Sequence, residues 1–118
     1  MSTYQIINPT TMLASMMGNI DVVKQMIPMY LGQGQDDFQA LVDAVHKEDL
    51  AEIKAKAHHI KPTMEYLGAT ALRLKFQELE NLSQEGADLA TIRTLFSEIE
   101  EDFGLAMQEL TSYQATLV

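Results

Sequence analysis

The sequence predicts an all-α protein, an antiparallel four-helix bundle with one or two additional short N-terminal helices. Apolar residues recur at spacings of three and four almost everywhere, strand-like alternation of β-branched residues is absent, and all three prolines lie before residue 63. The first two observations select helices over strands, and the third leaves the second half of the chain without proline breaks. A length of 118 residues suits one domain with one core, so residues 1–118 are expected to fold as a single unit. Eight Met and no Trp suggest a core filled by flexible side chains.

A short first helix is expected after Asn8-Pro9, capped by Thr10 or a neighbour, with Met12, Leu13 and Met16 packing and Gly18-Asn19 ending it. Asn19 or Asp21 then starts a second helix through Val22, Val23, Met26, Ile27 and Leu31, with Pro28 as a kink. Gly32-Gln33-Gly34 reads as an interruption, after which Phe38, Leu41, Val42 and Val45 form a third helix up to His46-Lys47. A basic last turn there suits the helix dipole. The fourth helix begins near Glu48-Asp49 and carries Leu50, Ile53, Ala57, Ile60, Met64 and Leu67 as one stripe, with Gly68 as its stop. A fifth, from about Ala69 to Ser83, carries Leu72, Phe76, Leu79 and Leu82 and leaves through Glu85-Gly86-Ala87-Asp88. The sixth runs to the end with Leu89, Ile92, Phe96, Ile99, Phe103, Met107 and Leu110, tolerating Gly104. Long helices joined by short loops describe an antiparallel bundle.

A net charge of -9 repels a phosphate backbone, which argues against a nucleic-acid partner. Five of the eight basic residues, Lys54, Lys56, Lys61, Arg73 and Lys75, nevertheless fall within 22 positions and concentrate positive charge around His58, while Glu98, Glu100, Glu101, Asp102 and Glu109 place acid on the last helix; the alternative is a pair of solvated helix faces. The absence of Cys excludes disulfides and thiolate chemistry and fits a reducing compartment. No apolar run approaches the roughly 20 residues that span a bilayer, so no membrane association is expected. Met1-Ser2-Thr3-Tyr4-Gln5 lacks the pattern of a signal peptide, and the chain reads as cytoplasmic.

The chemistry concentrates on residues 57–68. On a helical wheel His58 falls about 130° from the centre of the stripe Leu50 to Leu67, so its ring is expected in solvent. Lys54, Lys61 and Glu65 lie at -4, +3 and +7 from it, on the same side of the helix. An exposed imidazole with an ammonium one turn away is suited to carrying a phosphoryl group, Lys61 acting as an electrostatic clamp. If the fourth and fifth helices fold back about Gly68-Ala69, positions summing to about 138 share a height, which sets Gln77 to Glu80 across from His58. A carboxylate there that accepts a hydrogen bond from Nδ1–H would leave Nε2 as the attacking atom. Pro62 removes the N–H that would bond the His58 carbonyl, which predicts a kink. His59 has Lys61 at +2, on a different face, and reads as a surface histidine; no histidine spacing suits zinc. No phosphate loop or nucleophile elbow appears, so autonomous kinase or hydrolase activity is not expected.

Ala57, His58, Ile60, Lys61, Leu67 and Gly68 resemble the signature of histidine-containing phosphotransfer domains, in which the acceptor His is followed by Lys at +3, usually Gly at +4, an aliphatic residue at +9 and Gly at +10. Pro62 departs from it. The resemblance covers about residues 19–85 by helix order and is specific over 57–80. Phosphotransfer domains of chemotaxis-type kinases carry Glu at +22, where this chain has Glu80. The resemblance implies a phosphorelay intermediate: a response regulator receiver domain donates to His58, His58 passes the group to another receiver's aspartate, and Mg²⁺ sits in the receiver while this chain binds no cofactor. A hybrid histidine kinase is a further partner, or the origin of the domain. Docking is expected on Lys54, Pro62, Met64, Glu65 and Tyr66, with Met26, Met29 and Tyr30 either beside them or in the core. The alternative of another class is a helical adaptor that binds a partner through its Met-rich surface and performs no chemistry.

Overall fold

The computed structural model describes residues 4–117, so Met1, Ser2 and Thr3, on which the signal-peptide reading partly rests, and Val118 lie outside the described residues. Five helices follow in order: α1 (Pro9–Ser15), α2 (Ile20–His46), α3 (Leu50–Tyr66), α4 (Thr70–Glu85) and α5 (Leu89–Thr116). No helix among these residues is long and apolar enough to cross a membrane. α2 to α5 pack as an antiparallel four-helix bundle in which α3 neighbours α2 and α4, and α5 closes the ring against α4 and α2. The short α1 leans on α2 and α3.

Side-chain caps set most helix starts. The Asn8 amide oxygen accepts from Thr11 N at 3.2 Å, so the cap of α1 is Asn8 and not Thr10. Asn19 caps α2, Asp49 caps α3 and Asp88 caps α5 in the same way. The backbone N–H of Thr91 holds the Asp88 carboxyl below its ordinary range. α3 and α4 end at Gly68 and Gly86, both with left-handed φ, of +69° and +71°.

The expected break at Gly32-Gln33-Gly34 is absent: one helix of 27 residues runs from Ile20 through Pro28 and both glycines to His46. The apolar rhythm explains why, since Ile27, Leu31, Gly34, Phe38, Leu41 and Val45 continue a single 4-3-4-3-4 stripe. Gly34 is a buried member of it. A Cβ on Gly34 would only reach ordinary contact with Phe103 Cζ, at 4.0 Å, so the position sits against the aromatic centre of the core. There Phe38 stacks on Phe103 at 4.2 Å between centroids and on Phe96 at 5.7 Å, and meets Phe76 edge-on at 6.4 Å. Pro28 and Lys24 lie on the exposed side, so water can reach the Lys24 carbonyl that loses its helical donor.

One acid on α5 does not belong to the solvated face. Glu109 is buried and accepts three backbone N–H bonds from the segment before α1: Gln5 on Oε2 at 2.8 Å, and Ile6 and Ile7 on Oε1 at 2.9 and 3.0 Å. Asn8 N then donates to Leu67 O at 2.9 Å. The N-terminal strap is thereby fixed at one end to α5 and at the other to the α3–α4 turn.

Candidate functional site

The α3–α4 hairpin turns at Leu67–Ala69, and its facing side chains pair in a register that sums to 138: His58 with Glu80, Lys61 with Gln77, and Glu65 with Arg73. That register is the one expected from a turn at Gly68-Ala69. Ile53, Ala57, Ile60, Met64 and Leu67 are fully buried, and this turns the opposite face of α3 outward. His58 lies on that outer face with its side chain 71% exposed.

His58 Nδ1 is 3.2 Å from Glu80 Oε1. The same oxygen accepts from Lys61 Nζ at 2.9 Å, and Lys61 also donates to Gln77 Oε1. Gln77 in turn donates from Nε2 to Asn81 Oδ1 at 2.9 Å. An ionised carboxylate can only accept, so the nitrogen facing it carries the proton, and in the neutral ring Nε2 is then the atom with the lone pair. Lys61 and Glu80 are only 15% and 14% exposed, which shields their ion pair between the helices while the imidazole stands in solvent. Lys61 is therefore already engaged by α4 and is not a free cation poised beside the ring.

Burial is the largest influence on Glu80 and opposes its ionisation; the hydrogen bond and charge of Lys61, with those of His58 added, outweigh it and hold the carboxyl below its ordinary 4.5. A carboxyl with a lowered folded-state pKa contributes stability that is complete above the unfolded value and is lost as pH falls through the folded one. Acid unfolding followed by circular dichroism should therefore show Glu80→Gln less stable than wild type at neutral pH, with the gap closing below about 4.5. A gap that persists unchanged in acid would assign the loss to packing.

Beside the ring a surface groove of about 380 Å³ is lined by His58, Lys61, Pro62, Glu65, Tyr66 and Arg73. Glu65 Oε2 meets Arg73 Nε at 3.0 Å across it. α3 runs as a helix through Pro62, which is exposed, and the His58 carbonyl has no helical donor at that position. Tyr66 stacks on Tyr30 of α2 at 6.2 Å, and Met29 is exposed while Met26 and Tyr30 are half-buried.

Two expected docking residues do not join this surface. Met64 is 0% exposed, because it is a member of the α3 core stripe and cannot face a partner. Lys54 is half-buried, lies outside the groove lining and has no polar partner among the described residues. His59 points to the other seam, with Nε2 3.5 Å from Asp37 Oδ1 of α2. Gln77, Asn81 and Arg73 were not singled out for the site by motif, although the 138 register already sets Gln77 against Lys61 and Arg73 against Glu65.

No curated protein and no solved structure matches the chain significantly. A family model described as Hpt domain matches residues 25–112, which takes in most of α2, all of α3 and α4, and most of α5. That match covers well over half of the chain and includes the whole α3–α4 hairpin that holds His58, so the chain belongs to the Hpt domain family and has that family's general role in phosphorelay phosphotransfer.

Proposed function

We propose that His58 accepts a phosphoryl group from the phospho-aspartate of a receiver domain and passes it to the aspartate of another receiver. The observation that carries this is the division of the imidazole: Nδ1 is bonded to the shielded Glu80 carboxylate and the rest of the ring stands in solvent. In the forward step Nε2 attacks phosphorus, the P–O bond to the aspartate carboxylate breaks, and the carboxylate leaves with the electron pair. The ring becomes cationic with its proton still on Nδ1, where Glu80 balances the charge. The reverse sequence delivers the group to the second aspartate. Lys61, one turn away, offsets the charge of the bound phosphoryl group.

In-line transfer needs alignment more than covalent machinery from this chain. The reading therefore gives Mg²⁺ and the acidic cluster to the receiver, assigns no cofactor to this chain, and leaves any kinase activity to a separate protein. A separate response regulator or the receiver of a hybrid histidine kinase can present the aspartate, in a cytoplasmic setting. Pro62, Glu65 and Tyr66, which line the groove beside His58, are the contacts proposed for the receiver.

Incubation with a ³²P-labelled receiver and Mg²⁺ tests the reading. The label on this chain should be acid-labile and alkali-stable, absent in His58→Gln and retained in His59→Gln. Label that persists in His58→Gln would sink the assignment. Receiver binding with no label in wild type would instead favour the adaptor.

A further inference from the structure

Lys61 Nζ has three N–H donors, of which Glu80 Oε1 and Gln77 Oε1 take two. The third is left for a group arriving at His58. Glu80 holds the ammonium but also cancels its charge. Gln77 holds it without cancelling anything, because an amide oxygen accepts a hydrogen bond and carries no net charge. An amide turned the wrong way would point NH₂ at NH₃⁺. Asn81 prevents this, because its Oδ1 accepts from Gln77 Nε2 at 2.9 Å and the carbonyl end is the one left for Lys61.

We propose that Gln77, oriented by Asn81, is a positioning residue that holds Lys61 beside His58 without setting a second negative charge against it, ready for the incoming phosphoryl group. The inference rests on the reading of His58 as phosphoryl acceptor and adds to it. Before transfer Lys61 and Glu80 balance; a phosphoryl group brings up to two negative charges, and the cationic ring offsets only one. A second carboxylate at position 77 would leave the site negative before the reaction starts, which is the reason for a neutral holder.

Phosphoramidate provides a test on the full chain without any partner. Nε2 attacks its phosphorus, the P–N bond breaks, ammonia leaves with the electron pair and the three protons already on its nitrogen, and the proton on His58 Nδ1 stays there, hydrogen-bonded to Glu80. Formation of phosphohistidine is followed by ³¹P NMR from pH 6 to 9 for wild type, Gln77→Met, Gln77→Glu, Asn81→Ala and His58→Gln. Methionine fills nearly the same space without the acceptor, so a packing role predicts wild-type rates for it.

The positioning role predicts Gln77→Met slower by about threefold to tenfold, a fraction of one hydrogen bond to a charged group because Glu80 still holds the ammonium. Gln77→Glu should be slower still, and Asn81→Ala should fall between wild type and Gln77→Met. The deficits should widen with pH as the phosphoryl group gains its second charge, while melting temperatures stay within about 2 °C. Equal rates in wild type, Gln77→Met and Gln77→Glu would overturn the proposal, and so would a Gln77→Glu variant as fast as wild type. Label that survives in His58→Gln would instead overturn the reading of His58, and this proposal with it.

Discussion

Replacement of Glu109 by alanine should lower stability by about 3 kcal/mol and the melting temperature by roughly 10 °C. The carboxylate accepts the backbone N–H of Gln5, Ile6 and Ile7, and the Ile7 bond is buried. Hydrogen bonds to a charged acceptor contribute about 1.5–3 kcal/mol each, and a buried donor left unpaired costs about 1–3 kcal/mol. The full sum is not reached because the strap can lift away and hydrate. What it then loses is the burial of Ile7, which is 4% exposed. Glu109→Gln separates the two oxygens: its carbonyl can replace Oε1 for Ile6 and Ile7, but its NH₂ then faces the Gln5 N–H. It should lose about half as much as the alanine variant. Differential scanning calorimetry reads both, and a loss below about 1 kcal/mol for Glu109→Ala would show that the strap is held by its apolar contacts alone.

Gly68→Ala should be about 2–3 kcal/mol more destabilising than Gly86→Ala, although the two glycines have nearly the same backbone conformation. With φ at +69° and +71°, both substitutions meet the left-handed penalty of about 1–2 kcal/mol. Their surroundings differ. Around Gly86 a new Cβ meets nothing within 4 Å, whereas at Gly68 it would lie 2.7 Å from Asn8 Cβ, 2.9 Å from the Asn8 carbonyl oxygen and 2.9 Å from Thr11 Cβ. Asn8 cannot simply retreat, because its N–H is bonded to Leu67 O and its side chain caps α1. Urea unfolding of the two variants gives the comparison, with the Gly86 variant supplying the conformational part alone. Equal losses would mean that α1 adjusts at no cost.

These two residues also show what sequence could and could not reveal. The stripe from Leu50 to Leu67 and the turn at Gly68 suffice to expose His58 and to bring Glu80 opposite it, because a helical hairpin with a three-residue turn has little freedom of register. The same stripe contains Met64, so its inclusion on the docking surface conflicted with the periodicity that exposes His58. Gly32 and Gly34 read as punctuation because glycine is a poor helix former, yet the apolar rhythm passes through Gly34, and burial of the stripe on both sides of it outweighs propensity. Glu109 left no local trace. Its partners are backbone groups more than 100 residues away, which carry no side-chain signature, and among four other acids its charge looked like solvated surface.

The hairpin register and the strap differ sharply in how far along the chain they reach. The bonds around His58 join residues 16 to 22 apart, within one turn of two consecutive helices. The bonds to Glu109 close loops of 102 to 104 residues. Loop closure grows costlier with length, and contacts of small sequence separation form first. The His58 cluster is thus closed by short loops that cost little to form, while the clasp between residues 5–7 and Glu109 is among the costliest contacts to close. The bonds that hold the His58 ring and Lys61 involve no residue of the clasp.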